Sequence, residues 1–140
     1  MTLLIHIDGA ARGNPGPASL GVVIQDEAGR ALREAGRCLG EQTNNTAEYE
    51  ALLEALRLAA ELGGRRLKVR SDSQLLVRQF NGQYRVKNAR LAGFLSEAHR
   101  LARGFERVEL VHVPREENKR ADELANEALD AQAAKQTQGI

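Results

Sequence analysis

The chain has 140 residues, 42% of them hydrophobic and 28% charged, with one cysteine and a formal net charge of +1. That composition excludes disordered, collagen-like and disulfide-scaffold classes, and the length suffices for one domain burying about two-thirds of its unfolded surface. No apolar run approaches the ~20 residues of a membrane helix, and Cys38 alone permits no internal disulfide and fits a reducing cytoplasm.

The chain opens without a basic start or a small-residue cleavage site, so no signal peptide is expected and a cytoplasmic location is. Leu3 to Asp8 is nearly all apolar and predicts a central strand covered on both faces, ending at Asp8. The Gly/Pro cluster from Gly9 to Pro17 predicts a loop. Leu20 to Gln25 and Ala31 to Leu39 predict two more strands, joined by a turn at residues 26–29. The short connections make these three an antiparallel meander. Cys38 reads as a small buried side chain within the third strand.

The period then changes. Thr46 to Leu62 predicts a helix with Leu52, Leu56 and Ala59 on one stripe, widened by Leu53 and Ala60. Asn44 or Asn45 can cap its start and Gly63-Gly64 stops it. Leu67 to Arg70 predicts a strand pairing in parallel with the first. A short helix over 73–80, a polar loop over 81–87 and a helix over 89–102 follow. A fifth strand over 108–113 ends at Pro114, and a final helix runs from about Glu117 to Leu129. The polar stretch 131–140 reads as a flexible tail beyond a single domain over 1–130. The fold class is therefore α/β, a mixed five-stranded sheet of three antiparallel and two parallel strands flanked by helices.

The modest net charge hides an uneven split. Residues 1–62 carry 5 basic and 9 acidic side chains, residues 63–120 carry 14 and 6, and residues 121–140 carry 1 and 4. A basic middle between acidic ends fits a polyanion bound beside a carboxylate-rich site.

Four acids sit in unusual places. Asp8 ends an apolar strand, and Asp72 follows the strand expected beside it. Ligands in α/β proteins gather at that carboxyl edge of the sheet. Glu48 and Asp122 lie at the margins of buried helix stripes, near helix starts where the macrodipole favours acids. Inward-leaning carboxylates without a matching buried cation point to an oxygen-ligated divalent metal, Mg²⁺ or Mn²⁺ rather than Zn²⁺.

The segments carrying these acids are recognisable. Asp8-Gly-Ala-Ala-Arg-Gly-Asn-Pro-Gly16, Thr43-Asn-Asn-Thr-Ala-Glu48, Ser71-Asp72-Ser-Gln-Leu75 and Asn118-Lys-Arg-Ala-Asp-Glu-Leu-Ala125 resemble the four motif blocks of type 1 ribonuclease H, in the family's order and near its spacing. The resemblance covers roughly residues 2–130. It implies hydrolysis of the RNA strand of an RNA–DNA hybrid, leaving 3′-hydroxyl and 5′-phosphate ends. It also implies that Asp8, Glu48, Asp72 and Asp122 hold two Mg²⁺ ions, with Mn²⁺ a possible substitute. Such ions can activate the attacking water and stabilise the departing 3′-oxygen. Asp8 is then the expected bridging ligand, with Asp72 and Glu48 completing one ion and Asp122 the other.

Discriminating a hybrid from duplex DNA requires sensing 2′-hydroxyls on one strand only. The resemblance places Gly9, Arg12, Gly13, Asn14, Asn44 and Gln74 against the substrate, and Thr43 and Asn88 against a DNA-strand phosphate, with Arg85, Lys87 and Arg90 around Asn88. Sequence-independent, salt-sensitive binding is expected from such contacts.

The chain departs from the family pattern twice. It lacks the tryptophan- and lysine-rich basic protrusion of several members, and the loop that carries a mobile histidine in many is shortened to Pro114-Arg-Glu-Glu117, leaving Arg115 and Asn118 as auxiliary candidates. His6, His99 and His112 read as structural. A resolvase or integrase core, or a hybrid-binding module without activity, are the competing readings. Neither suits a chain that keeps both the acids and the amides. No exposed apolar stripe is evident, so a monomer is expected.

Overall fold

The computed structural model describes residues 1–138. The strands are β1 (Thr2–Ala11), β2 (Gly16–Gln25), β3 (Ala31–Gln42), β4 (Arg66–Ser71) and β5 (Arg107–His112). The helices are α1 (Asn44–Glu61), α2 (Gln74–Phe80), α3 (Ala89–Ala102) and α4 (Lys119–Gln138), with one 3₁₀ turn over Arg115–Glu117. The sheet order is β3-β2-β1-β4-β5. The first three strands pair antiparallel, and β1, β4 and β5 run parallel, as the meander and the crossover helix α1 require.

Helices cover both faces of the sheet. Helix α1 lies on β1 and β2 with α3 packed outside it, while α4 covers β2, β3 and β1 on the opposite face. The core sits between α1 and the sheet. Leu3, Ile5, Ile7, Leu20, Val22, Ile24, Leu52, Leu56, Leu67 and Val69 are all buried there. Each such side chain contributes about 1.5–3 kcal/mol by leaving water.

Several boundaries differ from the sequence pattern. β1 does not stop at Asp8 but continues to Ala11, and the expected loop shrinks to the turn between Ala11 and Gly16. Small residues carry no period-2 signal, so the pairing of Gly9, Ala10 and Ala11 with β2 was invisible. β1 and β4 separate after Ile7 and Ser71, whereas β1 and β2 stay paired to Ala11 and Ala18. Asp8 is therefore the first residue of β1 beyond its β4 neighbour.

Thr43, not Asn44 or Asn45, caps α1. Its hydroxyl accepts from the Thr46 N–H and its own N–H donates to the Thr46 hydroxyl, a closed capping box. Ala60 is exposed rather than part of the stripe, while Ala51, Ala55 and Leu58 are buried. A helix sandwiched between a sheet and another helix has two buried faces instead of one. The central strand is likewise not covered throughout, because α4 leaves Leu4 and His6 only half-buried. The last helix reaches Gln138, into the stretch read as a tail, because its Ala, Gln and Lys residues are competent helix formers even without a face to bury. Gly139 and Ile140 lie outside the described residues.

Candidate active site

The divergence of β1 and β4 opens a cleft of about 460 Å³, lined by Asp8, Gly9, Ala10, Ala11, Arg12, Asn44, Glu48, Asp72, Arg115, Asp122 and Asn126. Ligand oxygens of Asp8, Glu48 and Asp72 lie within 4.8 Å of one another. Asp8 arrives from β1, Asp72 from the turn after β4, and Glu48 from the second turn of α1.

Two glycines make this convergence possible. A Cβ on Gly9 would stand 2.3 Å from the Ala47 carbonyl carbon, so only glycine lets α1 press onto β1. Gly9 thus serves the approach of a helix, and its N–H donates to Glu48 Oε1 at 3.1 Å. On the other face, a Cβ on Gly21 would stand 2.0 Å from the Ala121 carbonyl oxygen, so α4 also sits directly on the sheet. That contact delivers Asp122 to the same cleft. Its carboxylate lies outside the tight trio but close enough to Asp8 to act on its ionisation.

The electrostatics are those of an uncompensated anionic site. Burial pushes the Asp8 carboxyl well above its ordinary range, and the charges of Glu48 and Asp72 push it further. Burial raises Glu48 as well, with Asp72 adding and the Gly9 N–H opposing. Glu48 Oε2 is buried with no hydrogen-bond partner among the described residues. An orphaned carboxylate oxygen facing two other carboxylates is costly alone and well suited to a hard divalent cation. All-oxygen donors and the absence of thiolate or imidazole from the trio match Mg²⁺ or Mn²⁺ chemistry.

A second groove adjoins the cleft across the start of α1. It is lined by Asn14, Pro15, Glu41, Gln42, Thr43, Asn45, Thr46, Asn88, Arg90 and Leu91. Thr43 and Asn88 are the caps of α1 and α3, so two helix N-termini converge there. Arg90 is held in place by Gln42 Oε1 at 2.8 Å. Asn14 spans the two depressions, its Oδ1 accepting from the Asn44 N–H at 3.1 Å. Gly13 takes a φ of +108° in the preceding turn, and Arg12 ion-pairs with Asp130 of α4. Gln74 is exposed on the first turn of α2.

Arg115 is an exposed cation whose guanidinium lies 3.9 Å from Asp122. Asn118 is buried and donates to the Ile7 carbonyl at 2.8 Å. The histidines stand apart from the trio. His99 contacts the Phe80 carbonyl at 2.9 Å, His112 ends β5, and His6 is lowered by burial and by Arg70. Asn126 escaped the sequence reading. It donates to Asp122 Oδ1 at 3.2 Å, and its only sequence signal is a position four residues after that acid.

Comparison with known proteins bears on the family and the fold. Residues 6–128 match the reverse transcriptase-like family model. The chain is 45% identical over 125 residues to ribonuclease HI of Halobacterium salinarum, covering 89% of this chain and 63% of that protein. It is 41% identical over 134 residues to the bifunctional protein Rv2228c of Mycobacterium tuberculosis, covering 95% of this chain and 37% of that one. It superposes on LC11 RNase H1, solved in complex with an RNA/DNA hybrid, with a TM-score of 0.90 and 45% identity over 94% of this chain and 99% of that one.

The chain belongs to the ribonuclease H family. The family fold accounts for the mixed five-stranded sheet and its flanking helices. The chain spans less than two-thirds of the length of the halobacterial and mycobacterial relatives.

Proposed function

We propose that the chain is an endoribonuclease hydrolysing the RNA strand of RNA–DNA hybrids, with Asp8, Glu48, Asp72 and Asp122 as the cation-binding catalytic set. The observation that carries the reading is the orphaned Glu48 Oε2 beside Asp8 and Asp72 at the point where β1 and β4 part. A pair of divalent cations bound there, Mg²⁺ or Mn²⁺, supplies the charge and Lewis acidity that phosphodiester hydrolysis requires. The product ends are then 3′-hydroxyl and 5′-phosphate.

The protein's own part is to hold carboxylates at fixed positions and to place the substrate. Gly9 fixes Glu48 through its N–H. The RNA strand lies over the cleft, where Arg12, Gly13, Asn14, Asn44 and Gln74 meet riboses and phosphates. Amide side chains suit a 2′-hydroxyl, which both donates and accepts. The DNA strand places a phosphate in the adjoining groove, against Thr43, Asn88 and Arg90. Arg115 balances Asp122 before the substrate arrives. The protein acts as a monomer in the cytoplasm. The hybrid bound by LC11 RNase H1 supports this substrate class.

The test is a cleavage panel of labelled RNA–DNA hybrid, single-stranded RNA and duplex DNA, with and without Mg²⁺. Only the hybrid is cut, and only with the cation. Asp8→Asn lowers kcat on the order of 10³-fold or more, since it removes the central charge of the site. Equal cutting of duplex DNA, or an unaltered Asp8→Asn enzyme, overturns the proposal.

A further inference from the structure

Asp122 lies outside the tight trio, half-buried at the margin of the cleft. Beside the exposed Arg115 guanidinium at 3.9 Å, two asparagines flank it one helical turn away on either side, Asn118 just before α4 and Asn126 within it. Asn118 precedes it. The Asn118 carbonyl accepts from the Asp122 N–H at 3.2 Å, and its Nδ2 donates to the Ile7 carbonyl at 2.8 Å. Ile7 is the residue before Asp8, at the end of the β4 pairing. The amide therefore bonds to β1 just where its β4 neighbour departs, and ties the first turn of α4 to the peptide that carries Asp8. Asn126 follows. Its Nδ2 donates to the Asp122 carbonyl at 2.9 Å and to Asp122 Oδ1 at 3.2 Å. One asparagine sets where the Asp122 backbone starts, and the other sets where its carboxylate turns.

A further observation separates this from ordinary helix packing. Asn118 is 1% exposed, and its Oδ1 is buried without a partner among the described residues. The Ile7 carbonyl fixes the amide orientation, because the reversed amide would set oxygen against oxygen. A buried unpaired acceptor costs stability, so the amide reads as a positional device kept at the site rather than a stabilising one.

We propose that Asn118 and Asn126 are positioning residues that bracket Asp122 and aim its carboxylate at the cation site beside Asp8. The inference rests on the ribonuclease reading above. Ligand-orienting partners of this kind are typically worth about 10–100-fold in metal affinity or activity.

The decisive variant is Asn126→Ala, on the half-buried side of α4 where folding is not at stake; Asn118→Ser is the companion. For Asn126→Ala, kcat on the hybrid falls about 10-fold or more while KM stays within about two-fold. Calorimetric titration of the protein alone with Mn²⁺ shows binding weakened by about 10-fold. The melting temperature of the cation-free protein stays near the wild-type value. In an Asp122→Asn background the substitution has no further effect, because both residues act through the same carboxylate. Wild-type kcat and a wild-type Mn²⁺ isotherm in both variants overturn the assignment, as do losses that multiply with that of Asp122→Asn. A wild-type chain that leaves the hybrid uncut sinks the ribonuclease reading instead, and the Mn²⁺ isotherms then decide the bracket alone.

Discussion

Helices α1 and α4 both deliver a carboxylate to the cleft, and they are held in opposite ways. α1 is closed by the Thr43 capping box, buried against the sheet on one side and α3 on the other. Glu48 is accordingly 8% exposed and fixed by a backbone N–H. α4 lies on the opposite face of the sheet, buries a narrower apolar face of Ala121, Ala125 and Leu129, and adds polar pins. Ser19 Oγ donates to the Ala125 carbonyl at 2.6 Å, Cys38 Sγ contacts the Ala128 carbonyl at 3.2 Å, and Arg120 reaches Glu34 at 2.9 Å. Asp122 keeps a side chain 31% exposed. One half of the site is thus set by the main core, and the other by a narrower apolar contact reinforced by polar bonds.

The two close-approach glycines give the strongest way to break that contrast. Gly9→Ala forces α1 away from β1, and Gly21→Ala forces α4 away from β2. Both should lower kcat on the hybrid by about 100-fold or more, as misplacement of an ångström does. Gly9→Ala should cost the more stability, about 3 kcal/mol against about 1–2 kcal/mol for Gly21→Ala, because it strains the core side. Denaturant melts beside kinetics check this; a more fragile Gly21→Ala protein reverses the assignment of rigid and adaptable halves.

Proton linkage sharpens the comparison at a smaller scale. The raised Asp8 and Glu48 carboxyls hold protons in the folded protein that the unfolded chain releases above about pH 4. Stability of the cation-free protein should therefore fall as pH rises from that value through neutrality, on the order of 1–3 kcal/mol. Mg²⁺ should reverse the trend, raising the melting temperature more at pH 8 than at pH 5.5, since binding expels those protons. Asp8→Asn should flatten the cation-free slope. A slope of opposite sign in thermal melts across that range would contradict the burial of the pair.

The mildest pair concerns the pins themselves. Ser19→Ala removes a buried bond to α4 and should cost about 1 kcal/mol. Arg37→Ala removes the exposed Arg37–Glu54 pair that ties β3 to α1, and should cost less than about 0.5 kcal/mol, because core packing already holds that helix. Equilibrium unfolding of the two variants resolves the difference.

Much of this architecture was legible in the sequence. α3 begins and ends where its apolar spacing says it should, and the structure adds Asn88 as its cap. Asp8, Glu48 and Asp122 stand out beside apolar strand or helix stripes, and Asp72 stands out through the parallel pairing expected of the strand it follows. What stayed hidden depends on contacts between distant segments. The extension of β1 past Asp8 is decided by its pairing with β2 and not by side-chain alternation. The choice of Thr43 over its asparagine neighbours as the cap depends on where the chain leaves β3. Gly9 reads as part of a flexible loop until the helix pressed against it is seen. Asn126 is unremarkable on a helix face until Asp122 is found beside it.

The placement of Asp8 within a paired strand has a consequence for how the chain can vary. Along β1, Gly9 is turned toward α1, and Asp8 is turned away from it. A single residue inserted upstream of Asp8 with β2 held in place would push Asp8 into the position of Gly9, driving a carboxylate into the helix contact and leaving the cleft the residue that precedes it. Insertions in pairs preserve the parity and single ones destroy it. Length changes in this lineage should thus be confined to the hairpin tips and the 81–87 connection, where no such parity is counted.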